Sequence, residues 1–328
     1  MAEEIIFIAP SNGYGGAEMF FTELYEDLNL DTIKFVKLDC RFSSLLTSLK
    51  TLWTFRRLPI LYNHSVLGIC IWPIIILKLF NTKVYLLPHV VASSALTKPK
   101  LWALRFFLQW LVLKLADKII AISQGNFEEI QRRLPNNKTY IIRNYVSFKS
   151  KNNHKHDKLD YKSVAIIGRV QEKHKMQIAL IKNLAGFLVK NEFRVHIFGD
   201  GPDIDELKRH AAQAAGLKIK FHSWRDKSEI YEHNFGIVIS NSRWEGLPLS
   251  LIEAISHHRI VIARDVPGNI ELTPKNYRFS SYDQLSSILR NLNPEMYFKD
   301  NQFFFDDLVQ SLDKSDALSK YRSLLFDD

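Results

Sequence analysis

Cysteine is nearly absent from this 328-residue sequence: Cys40 and Cys70 stand far apart, with no Cys-x-x-Cys spacing. That excludes a disulfide framework and a cysteine-ligated zinc site, and it fits a reducing compartment. Long apolar runs are missing too. The longest, Val66 to Leu77, is about twelve residues and contains Pro73, against the roughly 20 that a helical membrane span needs. The opening residues MAEEIIFIAP carry no basic stretch ahead of an apolar one, so no secretory signal is expected and the chain reads as cytoplasmic. There is no low-complexity tract and no short-period repeat. A composition of 46% hydrophobic and 24% charged residues rules out intrinsic disorder. At roughly 150 residues per domain, the length predicts two domains.

Negative charge is in deficit. Lysine and arginine number 44 against 35 aspartate and glutamate, a formal net charge of +9. This balance suits a nucleic-acid binder, a protein docked on anionic lipid, or an enzyme of phosphate-bearing substrates, and many basic proteins bind none of these. The positive residues are spread out and no recognised nucleic-acid module is visible, so nucleic acid is not expected as a partner. The lysine-rich stretch Phe148 to Lys162 reads as a solvated connection between domains. His154 and His156 within it lack the further ligands of a metal site. Between Lys98 and Lys118, Trp102, Phe106, Phe107, Trp110, Leu111 and Leu113 alternate with Lys100, Arg105 and Lys114. Such a helix suits a membrane interface and equally a core position against a sheet; both readings stay open.

Short β-rich runs recur with helical spacing between them. In the first half they are Ile5–Ala9, Ile33–Leu38, Pro59–Tyr62, Val84–Leu87, Lys118–Ile122 and Thr139–Ile142. In the second they are Val164–Ile167, Arg194–Phe198, Ile219–Phe221, Phe235–Ser240 and Ile260–Ala263. Ala17–Leu28, Phe127–Leu134, Gln177–Val189 and Asp205–Ala215 carry apolar residues at helical intervals. Alternation of strand and helix predicts an α/β protein with parallel sheets covered on both faces. The expected organisation is a domain over 1–150, a second over 151–310, and a closing helix over 311–328 that packs back on the first. Ligands of open parallel sheets bind off the carboxyl ends of the strands, and the two sheets are expected to face each other across a cleft.

Several segments can carry chemistry. Gly13-Tyr14-Gly15-Gly16-Ala17-Glu18 follows the first strand; its glycines admit a ligand close to backbone, and a helix from Ala17 would aim N–H groups at an anion. Its spacing fails the Gly-x-Gly-x-x-Gly fingerprint, and such a turn is often only a turn. Gly199-Asp200-Gly201-Pro202 also follows a strand, with Ile204 where that fingerprint requires glycine. Asp203 and Asp205 have the spacing of an acidic metal motif, yet they read as first-turn residues complementing a helix dipole, so no metal is expected there.

The densest constellation runs from Glu245 to Ala254. Gly246 and Pro248 mark a loop, and a helix is expected to start near Pro248, a residue suited to the first helical turn. The amides from Gly246 through Leu247, Pro248 and Leu249 into that helix would offer an anion site. Glu245 and Glu253 bracket it and either contact sugar hydroxyls or form surface ion pairs. Gly168-Arg169, with Lys173 and Lys175 in the following turn, supplies cations at a strand end, where they can neutralise a leaving diphosphate. His89 follows the strand Val84–Leu87, and His64 has a similar position after Pro59–Tyr62. A lone histidine is more often structural than catalytic.

In their order and spacing these segments resemble the retaining GT-B glycosyltransferases of family 4, over most of the chain and most strongly from Ser163 to Glu271. Glu245 and Glu253 resemble the family's Glu-x7-Glu motif, Gly168-Arg169 with a following lysine its diphosphate-binding pair, and Gly199-Asp200-Gly201-Pro202 its Gly-x-Gly-Pro turn. Gly15-Gly16-Ala17-Glu18 resembles the N-terminal glycine loop, His89 the cleft histidine, Asp117 to Ser123 a recurrent strand, and Asn144-Tyr145-Val146 the segment that closes the first domain. His258 and Ile260 depart from the usual glycine and proline, and Asn144 to Ser147 lacks the usual glycine and aspartate.

The resemblance implies a GT-B fold of two Rossmann-like domains and transfer of a sugar from a nucleotide-diphosphate donor, with retention and without metal or other cofactor. Glu253 would hold the ribose, Arg169 and Lys175 (or Lys173) the diphosphate with the amides of Gly246 to Leu249, and Glu245 the donor sugar. His89, implied with Glu245 as a catalytic residue, and the Gly13-Gly15-Gly16 loop would shape the site from the other domain. The acceptor would be a glycan or lipid-linked glycan, as in bacterial surface-polysaccharide assembly, with peripheral contact at the inner membrane face. A GT-B-like module that binds nucleotide sugar or glycan without turnover is the competing reading. A phosphorylase or epimerase on the same fold is an intermediate one.

Overall fold

The computed structural model describes residues 4–10, 16–38, 45–64, 71–89, 102–135, 138–146 and 159–327. Gly13, Gly15, both cysteines, His154, His156 and most of the lysine-rich connection lie outside them. The elements in chain order begin with β1 (Ile5–Pro10), α1 (Gly16–Leu28), β2 (Ile33–Leu38), α2 (Leu45–Phe55), β3 (Ile60–His64) and α3 (Trp72–Leu79). Then come β4 (Val84–Pro88), α4 (Trp102–Leu115), β5 (Lys118–Ala121), α5 (Gln124–Arg133) and β6 (Thr139–Ile141). The second series is β7 (Ser163–Ile167), α6 (Glu172–Lys175), α7 (Gln177–Lys190), β8 (Arg194–Phe198), α8 (Ile204–Gln213), β9 (Lys218–His222) and α9 (Lys227–Glu232). It continues through β10 (Ile237–Ser240), α10 (Leu249–Ser256), β11 (Ile260–Arg264), α11 (Pro267–Ile270) and β12 (Arg278–Phe279). Four helices follow: α12 (Tyr282–Asn291), α13 (Pro294–Asp300), α14 (Gln302–Ser311) and α15 (Lys314–Phe326).

The chain is α/β and divides into two compact units, Met1–Asn144 with Lys314–Asp328, and Tyr145–Asp313. Each holds one six-stranded sheet, in the orders β2-β1-β3-β4-β5-β6 and β12-β11-β10-β7-β8-β9, and the strand pairs are parallel. Helices cover the sheets, and the central strand β4 is apolar and buried throughout. The edge strands β2 and β9 instead mix exposed and buried positions and place lysines outward. β12 was not legible as a strand: two residues carry no alternation, and only their pairing with Ala263 and Arg264 defines them.

In the first unit, Phe7 of β1 stacks on Phe21 of α1 at 5.1 Å, and Tyr25 meets Phe35 of β2 at 5.2 Å. These contacts fix α1 to the sheet. Helix α15 then closes on α1: Lys314 Nζ lies 2.6 Å from Asp27 Oδ1, and Lys118 Nζ donates to the Leu324 carbonyl at 2.8 Å. α5 begins three residues ahead of the expected Phe127, because Ser123 caps it by accepting from the Asn126 amide at 3.0 Å. No described helix is long and apolar enough to cross a membrane.

The second sheet reverses direction between β7 and β10: the chain runs outward through β8 and β9, then outward on the other side through β11 and β12. A parallel sheet opens a crevice at the carboxyl ends of such neighbouring strands. The segments leaving β7 and β10 begin with Gly168-Arg169 and Asn241.

Glycines set how closely the strand ends approach. Gly199, at φ +132°, leaves room for the Gly168 carbonyl, which a Cβ would meet at 2.2 Å; a Cβ on Gly201 would meet the Val170 carbonyl at the same distance. Gly199→Ala should therefore destabilise the protein by about 2–4 kcal/mol, through left-handed strain plus overpacking. Gly186, exposed within α7 with nothing near its would-be Cβ, is the control. Gly186→Ala should stabilise by about 0.5–1 kcal/mol. Urea denaturation of the two variants checks the pair of signs.

Candidate functional site

The turn after β7 and the loop after β10 are joined at four successive points. Asn241 Nδ2 donates to the Met176 carbonyl at 2.8 Å, and the Arg243 amide donates to the His174 carbonyl at 2.9 Å. The His174 ring donates through Nε2 to the Trp244 carbonyl at 2.8 Å and stacks on the indole, with centroids 4.6 Å apart and planes within 7°. Lys175 Nζ lies 2.5 Å from Glu245 Oε1. Asn241 is itself fixed from the next strand, its Oδ1 accepting from Arg264 Nε at 3.1 Å and Nη2 at 2.9 Å. Met176 adopts φ +54°, the left-handed turn that separates α6 from α7.

Glu245 is all but buried, its side chain 9% exposed. Burial alone would raise its carboxyl. The Lys175 ammonium, with His174 and a hydrogen bond from Ser242, outweighs this and holds the group below its ordinary value, as a carboxylate. Burial pushes His174 in the opposite sense, toward the neutral imidazole, more than Glu245 restores. Backbone approach matters here as well: a Cβ on Gly268 of α11 would meet the Gly246 carbonyl at 2.6 Å and Glu245 at 2.7 Å.

The two helix starts beside this loop differ. Glu172 turns back on α7, its Oε2 accepting from the Ile178 amide at 2.7 Å and its Oε1 from the Ala179 amide at 3.1 Å. Among the described residues no side chain is seen to bond the first amides of α10. Pro248 stands one place ahead of the expected first turn. Its ψ of 117° is extended, so it is the N-cap, and its carbonyl accepts from Leu251 and Ile252. Leu247 and Pro248 are buried, and Leu249 opens the helix.

Glu253, 7% exposed, sits in α10 and pairs with Lys227 at the start of α9, Nζ to Oε1 3.0 Å. The far end of α10 is a Schellman turn: Arg259 N–H reaches the Ala254 carbonyl at 2.8 Å, and His258 N–H reaches Ile255 at 2.9 Å. His258 accordingly takes φ +55°, the geometry glycine adopts most freely. Tyr231 of α9 stacks on His257 at 4.1 Å and donates to the Ser250 carbonyl at 3.2 Å, which locks α9 onto α10.

Of the residues singled out from sequence, Lys175, Glu245 and Gly246 are thus in one cluster. Arg169 and Lys173 are exposed, and among the described residues no carboxylate pairs with either. The Arg169 carbonyl accepts from Gln177 Nε2 at 2.9 Å, which anchors its turn. Asp203 falls at the N-cap of α8 rather than in its first turn, and its carboxylate accepts from the Glu172 amide at 2.7 Å. His89 and Gly16 belong to the first unit: His89 directly follows β4, 6% exposed and edge-on to Phe20 at 6.3 Å, and Gly16 opens α1. The His64 side chain, Gly13 and Gly15 lie outside what is described.

Sequence reading missed Lys227, Asn241, His174 and Trp244, whose partners Glu253, Met176 and one another lie far along the chain. It also missed three histidines, His196, His222 and His233, whose ring nitrogens gather within 4.8 Å. Burial and the neighbouring imidazoles depress His222 to about 4.

Lys175→Met should cost about 1–3 kcal/mol near neutral pH, since it leaves a nearly buried carboxylate unpaired. The wild-type pair stabilises fully above the ordinary value of 4.5 and fades as pH falls through the lower folded value. In the variant only His174 and Ser242 oppose burial, so the folded pKa rises and the deficit should shrink on acidification. Urea titrations at about pH 7 and about pH 5 measure that convergence.

None of the curated proteins matches the sequence. Residues 161–284, the segment that contains this cluster, match a family model described as glycosyl transferases group 1. Anabaena HepE, solved in complex with UDP and glucose, is 15% identical with a TM-score of 0.77, over 98% of this chain and 99% of that one. The lipopolysaccharide outer core galactosyltransferase WaaB, solved in its apo form, is 17% identical at TM-score 0.66, over 98% of each chain. The sucrose-phosphate synthase of Thermosynechococcus elongatus is 16% identical at TM-score 0.71, over 98% and 99%. At such identities the likeness is one of fold, and the two-sheet α/β architecture is that of the GT-B glycosyltransferases.

Proposed function

We propose that this chain is a retaining, metal-independent glycosyltransferase of family 4 that moves a sugar from a nucleotide-diphosphate donor to a glycan or glycolipid. The observation that carries the reading is the union of the β7 and β10 loops. It sets a cation, a nearly buried carboxylate and a helix start that no described side chain caps at the switch point of a parallel sheet. The match of residues 161–284 to group 1 glycosyl transferases and the UDP bound by HepE, a protein of the same fold, support it.

In this reading the second unit, Tyr145–Asp313, binds the donor. Arg169 and Lys175 stabilise the diphosphate as negative charge develops on it, together with the amides from Gly246 to Leu249. Lys173 is the alternative cation of that turn. Glu253 accepts from the ribose hydroxyls, held in place by Lys227, and Glu245 accepts from the donor sugar, oriented by Lys175. The bond from the anomeric carbon to phosphate breaks while the acceptor oxygen bonds to the same face, and the departing phosphate oxygen takes the acceptor proton. His89 and the Gly13-Gly15-Gly16 loop serve acceptor recognition in the first unit. A lipid-linked glycan in surface-polysaccharide assembly, met at the inner face of a membrane from the cytoplasm, suits the basic charge of +9 and the Trp102–Leu115 helix.

Glu253→Ala and Arg169→Ala should each weaken UDP binding by about 10- to 100-fold, the worth of a hydrogen bond to a charged group. Calorimetry on correctly folded variants reads this, and unchanged affinity would remove both residues from the site. With a turned-over donor, proton NMR of the first-formed product should show the donor's anomeric configuration, and added Mg2+ or Mn2+ should leave the rate unchanged. Tight binding with no turnover of any donor–acceptor pair would instead make the chain a binding module. Flotation with anionic liposomes should be lost at high salt if the acceptor is met at a membrane.

A further inference from the structure

Three histidines with no part in that chemistry converge on one face of the second sheet. His196 lies in β8, His222 ends β9, and His233 is the C-cap of α9. The parallel register sets Phe198 beside His222, and side chains two apart along a strand share a face. Hence the rings of His196, Phe198 and His222 stack: His222 lies 4.3 Å from Phe198 and 5.2 Å from His196, with planes within 14° and 12°. Helix α9 brings the third ring, 4.5 Å from His222 and 6.1 Å from His196.

His196 Nδ1 and His222 Nε2 lie 3.0 Å apart in a hydrogen bond, and a nitrogen of His233 completes a set within 4.8 Å. Two neutral imidazoles at this distance share one proton in an N–H···N hydrogen bond, and a metal ion would take the place of that proton with a lone pair from each ring. Zinc–nitrogen bonds of about 2.0–2.1 Å at a tetrahedral angle set ligand nitrogens roughly 3.3 Å apart, within a few tenths of the observed pair. The donors are all imidazole, which suits zinc, copper or nickel and not the oxygen-seeking magnesium or calcium. Phe198 and Phe235 wall the cluster, with Phe235 5.7 Å from Phe198 and 6.4 Å from His196. Arg194 beside it is already neutralised by Asp160.

We propose that His196, His222 and His233 form a three-histidine site for a divalent transition metal of the zinc class, with a fourth position left to water. The ion is structural: it ties β8 and β9 to the end of α9, the helix whose first residue pairs with Glu253.

The full chain, freed of metal by a chelator and dialysed, should take up one Zn2+ per molecule and unfold at a higher temperature in its presence. Co2+ in its place should give the intense visible absorption of a four-coordinate site. His233→Gln and His196→Gln should each weaken Zn2+ binding by at least about tenfold and abolish the thermal shift. His154→Gln with His156→Gln should leave both intact. No stoichiometric uptake by the unaltered chain overturns the proposal without reference to any variant. Uptake that His233→Gln leaves unchanged, in protein that still shows the wild-type circular dichroism, overturns it as well.

Discussion

The second unit depends on how closely backbones approach at the carboxyl edge of its sheet. Parallel strands all end on the same side, so segments far apart in sequence leave the sheet as neighbours. Side chains as small as a methyl would hold them apart: Gly199 admits the Gly168 carbonyl, Gly201 the Val170 carbonyl, and Gly268 the backbone of Glu245 and Gly246. With those gaps closed, residues 174–176 and 241–245 are near enough to exchange hydrogen bonds, and Lys175 meets Glu245. The ion pair follows from the glycines rather than the reverse.

Charge is then arranged around that contact with little left to chance. The amides at the start of α7 are already satisfied by Glu172, so the positive end of that helix is spent within the protein. At the start of α10 no described side chain does the same. Glu245 is ionised because a cation outweighs its burial, and Glu253 has Lys227 opposite it. An anionic ligand arriving here therefore meets cations that already answer to carboxylates. Arg169 and Lys173 are exposed, and no described carboxylate pairs with either.

Most of the fold was legible because buried parallel strands are written as unbroken apolar runs, as in Val84–Leu87 or Ile260–Ala263, with helical spacing between. What failed was short or context-bound. β12 has two residues and exists only through its neighbour, and the start of α5 was displaced by a serine cap that spacing does not register. In the site, glycines and acids were visible as motifs, because their roles lie in local backbone. Lys227, Asn241 and His174 were not, since each acts on a residue tens of positions away. The unusual His258 was visible as a departure, and its physical content appears only in the Schellman turn, where a left-handed residue is required and glycine would sit without strain.

Helix α9 shows why such long-range partners matter. At about 1.5 Å per residue its six residues span only about 9 Å, yet they carry three separate attachments. Lys227 at its start answers Glu253, Tyr231 near its end stacks on His257 and reaches the Ser250 carbonyl, and His233 just beyond it joins the imidazole cluster. A helix this short cannot hold its own geometry by backbone hydrogen bonds alone, so its position is the resultant of those contacts. Whatever fixes His233 thereby limits how far Lys227 can move from Glu253. The histidine cluster and the paired carboxylate are two ends of one rigid turn and a half of chain.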